Sequence, residues 1–366
     1  MKIIHCADLH LDSKLTSNLD AATSSERRRE ILHTFERMIN YAVQNDVKVI
    51  LIAGDMFDSY EVTSNTKETV LHAINNNPQI NFYYLRGNHD VNNFFSTLVN
   101  LPDNLKMFGS RWRTYEEAEG QVTISGFELS SNNADYAYTS LGLNPQKFNI
   151  VMLHGWALES PPAKKSDIIK LSNIRNKNID YLALGHLHSY RENKLDNRGV
   201  YCYSGCLEGR GFDECGEHGF VLIDVDESTK KFTFQFIPFA KRQLYQLNVD
   251  ITNCQNTSEM VDRARSKIQE CDCNKDSLIK IILQGELDVS CVKDMIYFQV
   301  NFNPEFYFVK IIDKTTYKVD TAAHSLDKSL KGEFIRQVNN DNSIPEEDKA
   351  IIIRYGLQAL AGEEII

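Results

Sequence analysis

The chain has 366 residues, 42% of them hydrophobic and 25% charged, which is typical of a globular protein with two or three units and not of a fibrous or disordered one. Its 40 lysines and arginines against 50 aspartates and glutamates leave a formal charge of -10, which argues against a broadly basic nucleic-acid coat. Eight scattered cysteines, no apolar leader and no run of about 18 apolar residues predict a cytoplasmic protein with no disulfide framework and no membrane contact.

The first ninety residues alternate between strand and helix patterns. Strands are predicted near Ile3 and over residues 47–53 and 80–85, with helices over about 26–42 and 65–74 between them. This β-α-β-α-β order indicates parallel strands in one sheet. Ligands of such sheets bind beyond the carboxyl ends of the strands, so the residues that follow each strand are the first candidates for a site.

The segment from about residue 105 to residue 241 is richer in strand patterns. Strand candidates cover residues 122–127, 149–153, 181–184, 200–203, 220–225 and 232–239. A second sheet packed on the first would bring three histidines, His154, His186 and His188, opposite the motifs of the first sheet. The pair Lys241-Arg242 marks the predicted end of this domain, which covers residues 1–241.

The remaining chain predicts a small α+β cap domain over residues 242–316, followed by a connector and C-terminal helices over residues 317–366. The cap has strand patterns at 244–251, 278–284 and 306–312 and helix patterns at 259–269 and 291–300. A polar connector over 314–324 leads to two helices, one repeating Leu326, Leu330, Phe334 and Val338, the other carrying Ala350, Ile353, Leu357 and Leu360. These helices dock either on their own cap or on a partner protein, and the sequence does not decide between the two.

Polar runs follow five of the strand-like segments. They are Asp8-Leu9-His10, the run from Gly54 to Asp58, Gly87-Asn88-His89-Asp90, His154-Gly155 and Gly185-His186-Leu187-His188. Their ligand-type side chains form a set of oxygen and nitrogen donors without a thiolate: Asp8, His10, Asp55, Asn88, His154, His186 and His188. Seven groups are too many for one ion, so we predict two divalent cations.

A pair of cations needs one carboxylate that bridges both, and Asp55 is the natural bridge. Mn²⁺ is the first choice for this donor set together with Fe²⁺, and Zn²⁺, Co²⁺ or Ni²⁺ are replacements. His89, beside a ligand, can supply a proton near neutral pH. Arg210, inside the glycine-rich loop 205–211, is the best candidate for a phosphate contact. Asp58 and Asp90 either orient neighbouring groups or cap turns, and Arg27 to Arg29 are more often a solvated helix face.

The ordered set D-x-H, G-D-x-F-D, G-N-H-D, L-H-G and G-H-L-H resembles the calcineurin-like metallophosphoesterase superfamily over about residues 1–240. A narrower likeness to SbcD-type DNA repair exonucleases rests on residues 7–13 and 204–214 and extends to the small cap domain. Better-known members of that group have D-W-H-L-G where residues 8–12 read D-L-H-L-D, so the chain is more similar to a bacterial branch related to YhaO.

The resemblance implies an α/β fold, a four-layer α/β/β/α sandwich with the cap and C-terminal helices attached. It implies one metal ion on Asp8, His10, Asp55 and His188 and a second on Asp55, Asn88, His154 and His186. His89 would assist the phosphate or the leaving oxygen. DNA ends and an SbcC-like ATPase, gripped by the C-terminal helices, are the implied partners, and a homodimer is a further assembly to test.

These inferences predict a two-metal-dependent phosphodiesterase, a hydrolase acting on DNA as a 3′-to-5′ exonuclease or end-processing nuclease in DNA repair. One alternative is a phosphodiesterase or phosphatase for a small nucleotide, because the same site serves both substrates. Another is a regulatory subunit whose main task is binding a partner ATPase.

Overall fold

The structure, a computed structural model, describes residues 1–15, 19–58, 62–90, 94–159, 167–288, 291, 293–318 and 327–361. Two compact units divide the chain, Met1–Gln243 and Leu244–Ile366. Their boundary lies beside the predicted end of the first domain, and the second unit contains both the predicted cap and the C-terminal helices. A further domain boundary at residue 316 stays a prediction.

The first unit contains two six-stranded sheets. The strands of the first sheet are β1 (Lys2–Cys6), β2 (Val47–Ala53), β3 (Asn81–Leu85), β4 (Leu105–Met107), β13 (Gly219–Val225) and β14 (Phe232–Pro238). They run in the order β14-β13-β1-β2-β3-β4, with β1 to β4 parallel and β13 antiparallel to both β1 and β14. Six of the seven residues of β2 are buried, because a strand covered on both faces must be almost continuously apolar.

The second sheet is parallel at its centre and antiparallel at both edges. Its strands are β5 (Arg113–Glu117), β6 (Val122–Gly126), β7 (Phe148–His154), β10 (Tyr181–Gly185), β11 (Arg191–Lys194) and β12 (Val200–Tyr203), in the order β11-β12-β10-β7-β6-β5. The two sheets share one core, in which Leu51 and Tyr83 of the first pack with Ile150 and Met152 of the second. A short separate ladder joins β8 (Trp156–Leu158) to β9 (Ile168–Lys170).

Helices cover the outer faces and complete the four layers. They are α1 (Ala21–Gln44), α2 (Ser64–Asn75), α3 (Ala134–Ser140) and α4 (Leu171–Ile174). α1 packs on β2 and on α2, while α3 and α4 share a core with the outer face of the second sheet. α1 begins earlier than the predicted start near residue 26, because Asp20 caps it by accepting a hydrogen bond from the Thr23 amide at 2.9 Å. The predicted α/β fold is confirmed.

The second unit is built on a three-stranded parallel sheet. Its elements are β15 (Leu244–Asp250), α5 (Thr257–Gln269), β16 (Leu278–Asp288), α6 (Met295–Phe302) and β17 (Phe308–Lys318). Both helices contribute to one core, where Met260 and Phe298 pack with Ile281. Because β17 continues to Lys318, the first residues of the predicted connector are strand, and the rest of the connector, with Leu326, lies outside the described residues.

Two C-terminal helices, α7 (Leu330–Asn340) and α8 (Glu346–Ala361), form a small core of their own. Ile335 and Val338 of α7 pack against Ile353 and Leu357 of α8, and Tyr317 of β17 joins them. Two members of the predicted apolar stripe of α8 are therefore buried within the unit. Over the described residues, no helix is long and apolar enough to cross a membrane.

Candidate metal centre

The polar runs lie at the carboxyl ends of five strands, two of which belong to the second sheet. β1 leads to Asp8 and His10, β2 to Asp55 and β3 to Asn88, while β7 ends at His154 and β10 leads to His186 and His188. Direct contacts join side chains from both sheets, as between His154 and Asp55 and between His10 and His188. The packing of the two sheets thus collects all seven ligand candidates at one edge of the sandwich.

The backbone at this edge is held in an uncommon conformation. Asp8, His10, Asp55 and His186 have positive φ angles between 43° and 102°, a region that residues other than glycine rarely adopt. Such strain persists where surrounding structure enforces it, and it concentrates at functional sites. Gly54 also has a positive φ, and a Cβ atom there would lie 2.1 Å from His154 Nδ1. The close approach of these loops therefore requires glycine at that position.

Asp8, His10 and His188 form the first ligand group, with donor atoms all within 4.8 Å of one another. His10 Nδ1 lies 2.9 Å from Asp58 Oδ1, and His188 Nδ1 lies 2.6 Å from Glu214 Oε1. Each carboxylate accepts a hydrogen bond from Nδ1, which directs the Nε2 lone pair toward the site. The two Nε2 atoms face each other at 3.2 Å. Facing lone pairs repel, so this arrangement fits a cation between them.

Asp8, Asp55 and His154 form the second group, again within 4.8 Å. His154 Nδ1 donates to the Ala53 carbonyl at 2.9 Å, and its Nε2 faces Asp55 Oδ2 at 3.3 Å and Asn88 Oδ1 at 3.0 Å. His186 Nδ1 lies 3.1 Å from the same Asn88 oxygen. Oxygen and nitrogen atoms that can bind a metal therefore converge here as well, and this set of ligand atoms fits a second cation. Asp8 belongs to both groups, and Asp55 Oδ2 of the second group lies 3.9 Å from His10 Nε2 of the first.

The protonation of these groups supports the same interpretation. Burial lowers the pKa of His154, but its hydrogen bond to Asp55 and the charge of Asp8 outweigh burial and raise it to about 9. Burial raises the pKa of Asp8 to about 7, and burial lowers the pKa of His10 and of His186 to about 4 each. At neutral pH a proton on His154 therefore stands where a metal ion would bind, while His10 and His186 are neutral and ready to coordinate.

His89 lies beside the ligands with its side chain 45% exposed. Its backbone amide donates to Asp55 Oδ1 at 2.8 Å, and its Nδ1 lies 3.4 Å from Asp58 Oδ1. The interaction with Asp58 raises the pKa of His89 above its ordinary value. An exposed imidazole whose pKa is raised, at the mouth of the site, is suited to proton donation. His10, Asp58 and His89 also form a third group with ligand spacing.

Sequence reasoning missed Glu214, although it lies in one of the two segments that carry the family resemblance. The structure also shows that Asp58 and Asp90, whose roles the sequence left open, have different contacts. Asp58 orients His10, whereas Asp90 caps turns by accepting backbone hydrogen bonds from Met56, Phe57 and Gly87 at 3.0 to 3.2 Å. Asp90 thereby ties the loop after β2 to the loop after β3.

Two arginines differ in how they relate to the site. Arg210 spans the two orienting carboxylates, donating to Glu214 from Nη2 at 2.8 Å and to Asp58 from Nη1 at 3.2 Å. Arg27 lies inside the protein, 1% exposed, where it donates to Glu30 at 2.7 Å and to Glu208 at 3.0 Å. Arg27 is therefore a buried structural cation and not a surface contact for phosphate.

Comparison with known proteins agrees with this geometry. The family model of the calcineurin-like phosphoesterases matches residues 1–203, and the chain belongs to that family of metal-dependent hydrolases, which use a dimetal centre. The chain is 27% identical over 308 residues to the uncharacterized metallophosphoesterase YhaO of Bacillus subtilis, an alignment that covers 78% of this chain and 72% of YhaO. It is 26% identical over 301 residues to the DNA double-strand break repair protein Mre11 of Sulfurisphaera tokodaii, covering 78% of this chain and 74% of that protein.

Solved structures show a looser likeness. A dimetal phosphatase from Danio rerio has a TM-score of 0.44 and 12% identity, covering 61% of this chain and 92% of the phosphatase. The protein TT1561 of Thermus thermophilus has a TM-score of 0.43 and 11% identity, covering 64% of this chain and 98% of that one. Similarity at this level carries no argument about function.

Proposed function

We propose that the protein is a two-metal-dependent phosphodiesterase acting on DNA, as a 3′-to-5′ exonuclease or end-processing nuclease in DNA repair. The observation that carries the proposal is the pair of ligand groups that share Asp8 and include Asp55, with His89, whose pKa is raised, beside them. The DNA double-strand break repair relatives supply the substrate class. Mn²⁺ is the proposed metal, because carboxylate, amide and imidazole donors suit it.

One ion is assigned to Asp8, His10, Asp55 and His188 and the other to Asp55, Asn88, His154 and His186. When bound, such a pair stabilises charge on the attacked phosphate and clamps the attacking and leaving oxygens. His89, whose Nδ1 faces Asp58, gives its proton to the leaving oxygen. Arg210 is the proposed phosphate contact, and its bonds to Asp58 and Glu214 hold the guanidinium at the site.

The function is tested by turnover of end-labelled duplex and single-stranded DNA, beside a small chromogenic diester, with Mn²⁺ added. We expect mononucleotides released from the 3′ end. Asp55→Asn keeps the shape of the side chain but removes the charge shared by both ions, so metal content and turnover should fall together. Intact DNA in the presence of two tightly bound ions would overturn the nuclease proposal.

A phosphodiesterase or phosphatase for a small nucleotide is the second candidate. A cavity of about 330 Å³ adjoins the centre and is lined by residues that include Arg86, Asn88, Ser130 and His154. This volume lies in the range of small-molecule sites. Turnover of mononucleotides or of the chromogenic diester without DNA cleavage would favour this candidate.

We propose an SbcC-like ATPase as the partner, as the resemblance to SbcD-type nucleases implies. Because Ile353 and Leu357 are buried, the contact would use the outer face of α8, where Ile351, Ile352 and Tyr355 are exposed. Replacing Ile351 and Ile352 by glutamate should abolish co-purification with the ATPase and leave metal content unchanged. Unaltered co-purification of the variant would refute this face. Co-purification of the wild-type protein without any turnover would favour the regulatory subunit, and absence of co-purification in the wild type would refute the partner.

We also propose a cytoplasmic location. All eight cysteines are free thiols, the state that reducing compartments maintain.

A homodimer is a further proposed assembly, and light scattering on the purified protein tests it directly.

A further inference from the structure

Trp156 presents a large exposed ring beside the candidate metal centre. It is the first residue of β8, directly after His154-Gly155, and it is 47% exposed. Its ring lies edge-on to the His186 ring, with centroids 5.5 Å apart and planes at 70°. Within the described part of the chain its indole N–H has no hydrogen-bond partner, whereas the indole N–H of Trp112, the other tryptophan, donates to the Ala137 carbonyl at 2.8 Å.

The backbone that carries Trp156 is rigid. The buried Tyr203 hydroxyl donates to the Gly155 carbonyl at 2.8 Å and accepts from the Ala157 amide at 2.7 Å, so it clamps the chain on both sides of the ring. The Trp156 amide donates to the Asp167 carbonyl at 2.7 Å. Gly155 has a φ of 144°, and a Cβ atom there would lie 2.5 Å from the same carbonyl. The backbone beneath the ring is thus held in place before anything binds, so little backbone entropy is lost on binding.

A single exposed apolar side chain needs no explanation by itself. This one, however, contacts a proposed metal ligand, so a phosphodiester bound at the centre places its flanking nucleosides near the indole. Every nucleobase has a π-face, and an exposed aromatic ring in a nucleic-acid channel stacks on it without sequence preference. The surface is otherwise acidic overall, with a net charge of -10, so affinity for a polyanion requires local contacts of this kind.

We propose that Trp156 stacks on the nucleobase next to the scissile phosphate and thereby selects a nucleotide substrate over a phosphodiester without bases. This inference rests on the proposed function, because it requires a nucleic-acid strand at the metal centre. It assigns a specificity role to a residue outside the ligand set. The alternative role of Trp156, packing against His186 to hold that ligand in place, predicts different results in the tests that follow.

The first test compares two single-stranded oligonucleotides that differ only at the nucleotides next to the cleaved bond, which carry thymine in one and are abasic in the other. Trp156→Ala should lower kcat/KM on the thymine substrate by about 5- to 150-fold, the equivalent of ~1 to 3 kcal/mol, and should leave the abasic substrate nearly unchanged. Trp156→Phe should restore a large part of the loss. Equal losses on both substrates together with loss of metal would overturn the proposal in favour of packing, and unchanged rates on both would overturn it outright.

The second test does not depend on turnover. With Trp112→Phe and His89→Gln combined, Trp156 is the one remaining tryptophan and cleavage is suppressed. Stacking predicts stronger fluorescence quenching by the thymine oligonucleotide than by the abasic one at the same Mn²⁺ concentration. Equal quenching by both would refute the inference. If the wild-type protein cleaves no DNA, the proposed function fails, and this binding measurement still decides the role of Trp156.

Discussion

Replacement of Glu214 by glutamine is expected to weaken one of the two proposed metal ions and to spare the other. Glu214 Oε1 lies 2.6 Å from His188 Nδ1, the Glu214 side chain is 8% exposed, and Arg210 Nη2 donates to the same carboxylate at 2.8 Å. Burial raises the pKa of Glu214, but the hydrogen bond from His188 and the charge of Arg210 outweigh burial and hold this pKa well below its usual range. The carboxylate is therefore ionised at any working pH.

The expected loss of metal affinity follows from the contact of Glu214 with His188, a proposed metal ligand. Loss of a carboxylate that orients a metal-bound histidine lowers metal affinity by about 10- to 100-fold, or ~1.4 to 2.7 kcal/mol. Glutamine keeps the shape and one acceptor oxygen, so the loss reports the charge. The second ion is assigned to side chains that make no hydrogen bond to Glu214 among the described residues, and its affinity should not change.

Calorimetric titration with Mn²⁺ resolves the two binding steps, and elemental analysis counts the ions that remain after gel filtration. Glu217→Gln is the matched control, because Glu217 is exposed in the same loop. We expect one weakened step in the Glu214 variant and none in the control. Two equally weakened steps, or two unchanged ones, would refute the role of Glu214 in orienting His188.

Three further predictions concern His89, Arg27 and the pH dependence of metal binding. His89→Gln should keep both metal ions and lose about 10²- to 10⁴-fold in kcat, and loss of metal in this variant would contradict its role as an acid. Arg27→Met should lower the free energy of unfolding by about 1 to 3 kcal/mol, because it removes the buried cation between Glu30 and Glu208 while Arg242 still pairs with Glu30 and Thr34 still donates to Glu208. Arg29→Met on the exposed face should be neutral in the same urea titration. Metal binding should release protons and tighten as pH rises from 6 to 9, since the pKa values of Asp8 and His154 are raised to about 7 and about 9 and both groups must lose a proton to coordinate. An affinity that is flat across this range would contradict the ligand assignment.

The sequence by itself determined the family resemblance and the order of the strands that lead to the motifs, both of which are confirmed, but it did not predict the short strands β4, β5, β8, β9 and β11. Each polar run follows an apolar strand within a few residues, so the candidates could be identified locally, and the rule that parallel strands end at one edge predicted that they would meet. The assignment of individual residues as ligands stays a prediction, although the structure does bring the seven side chains together.

Only the tertiary structure decided which residues hydrogen-bond to the proposed ligands and orient them. Glu214 lies 26 residues from His188 along the chain, and Asp58 lies 48 residues from His10, so no local pattern links either pair. The same holds for Arg27, whose position beside two other charged residues predicts a solvated helix face. Its burial depends on Glu208, which is 181 residues away.

In the C-terminal helices, too, the sequence predicted one feature and the tertiary structure decided another. Periodicity revealed an apolar stripe containing Ile353 and Leu357, because side chains at helical spacing share a face. It could not indicate what covers that face, since burial against α7 depends on how two helices meet and not on the pattern of either one. The exposed ring of Trp156 is likewise a property of the folded loop. Sequence patterns describe what each element presents, whereas the partner of each surface is fixed by contacts between residues far apart in the chain.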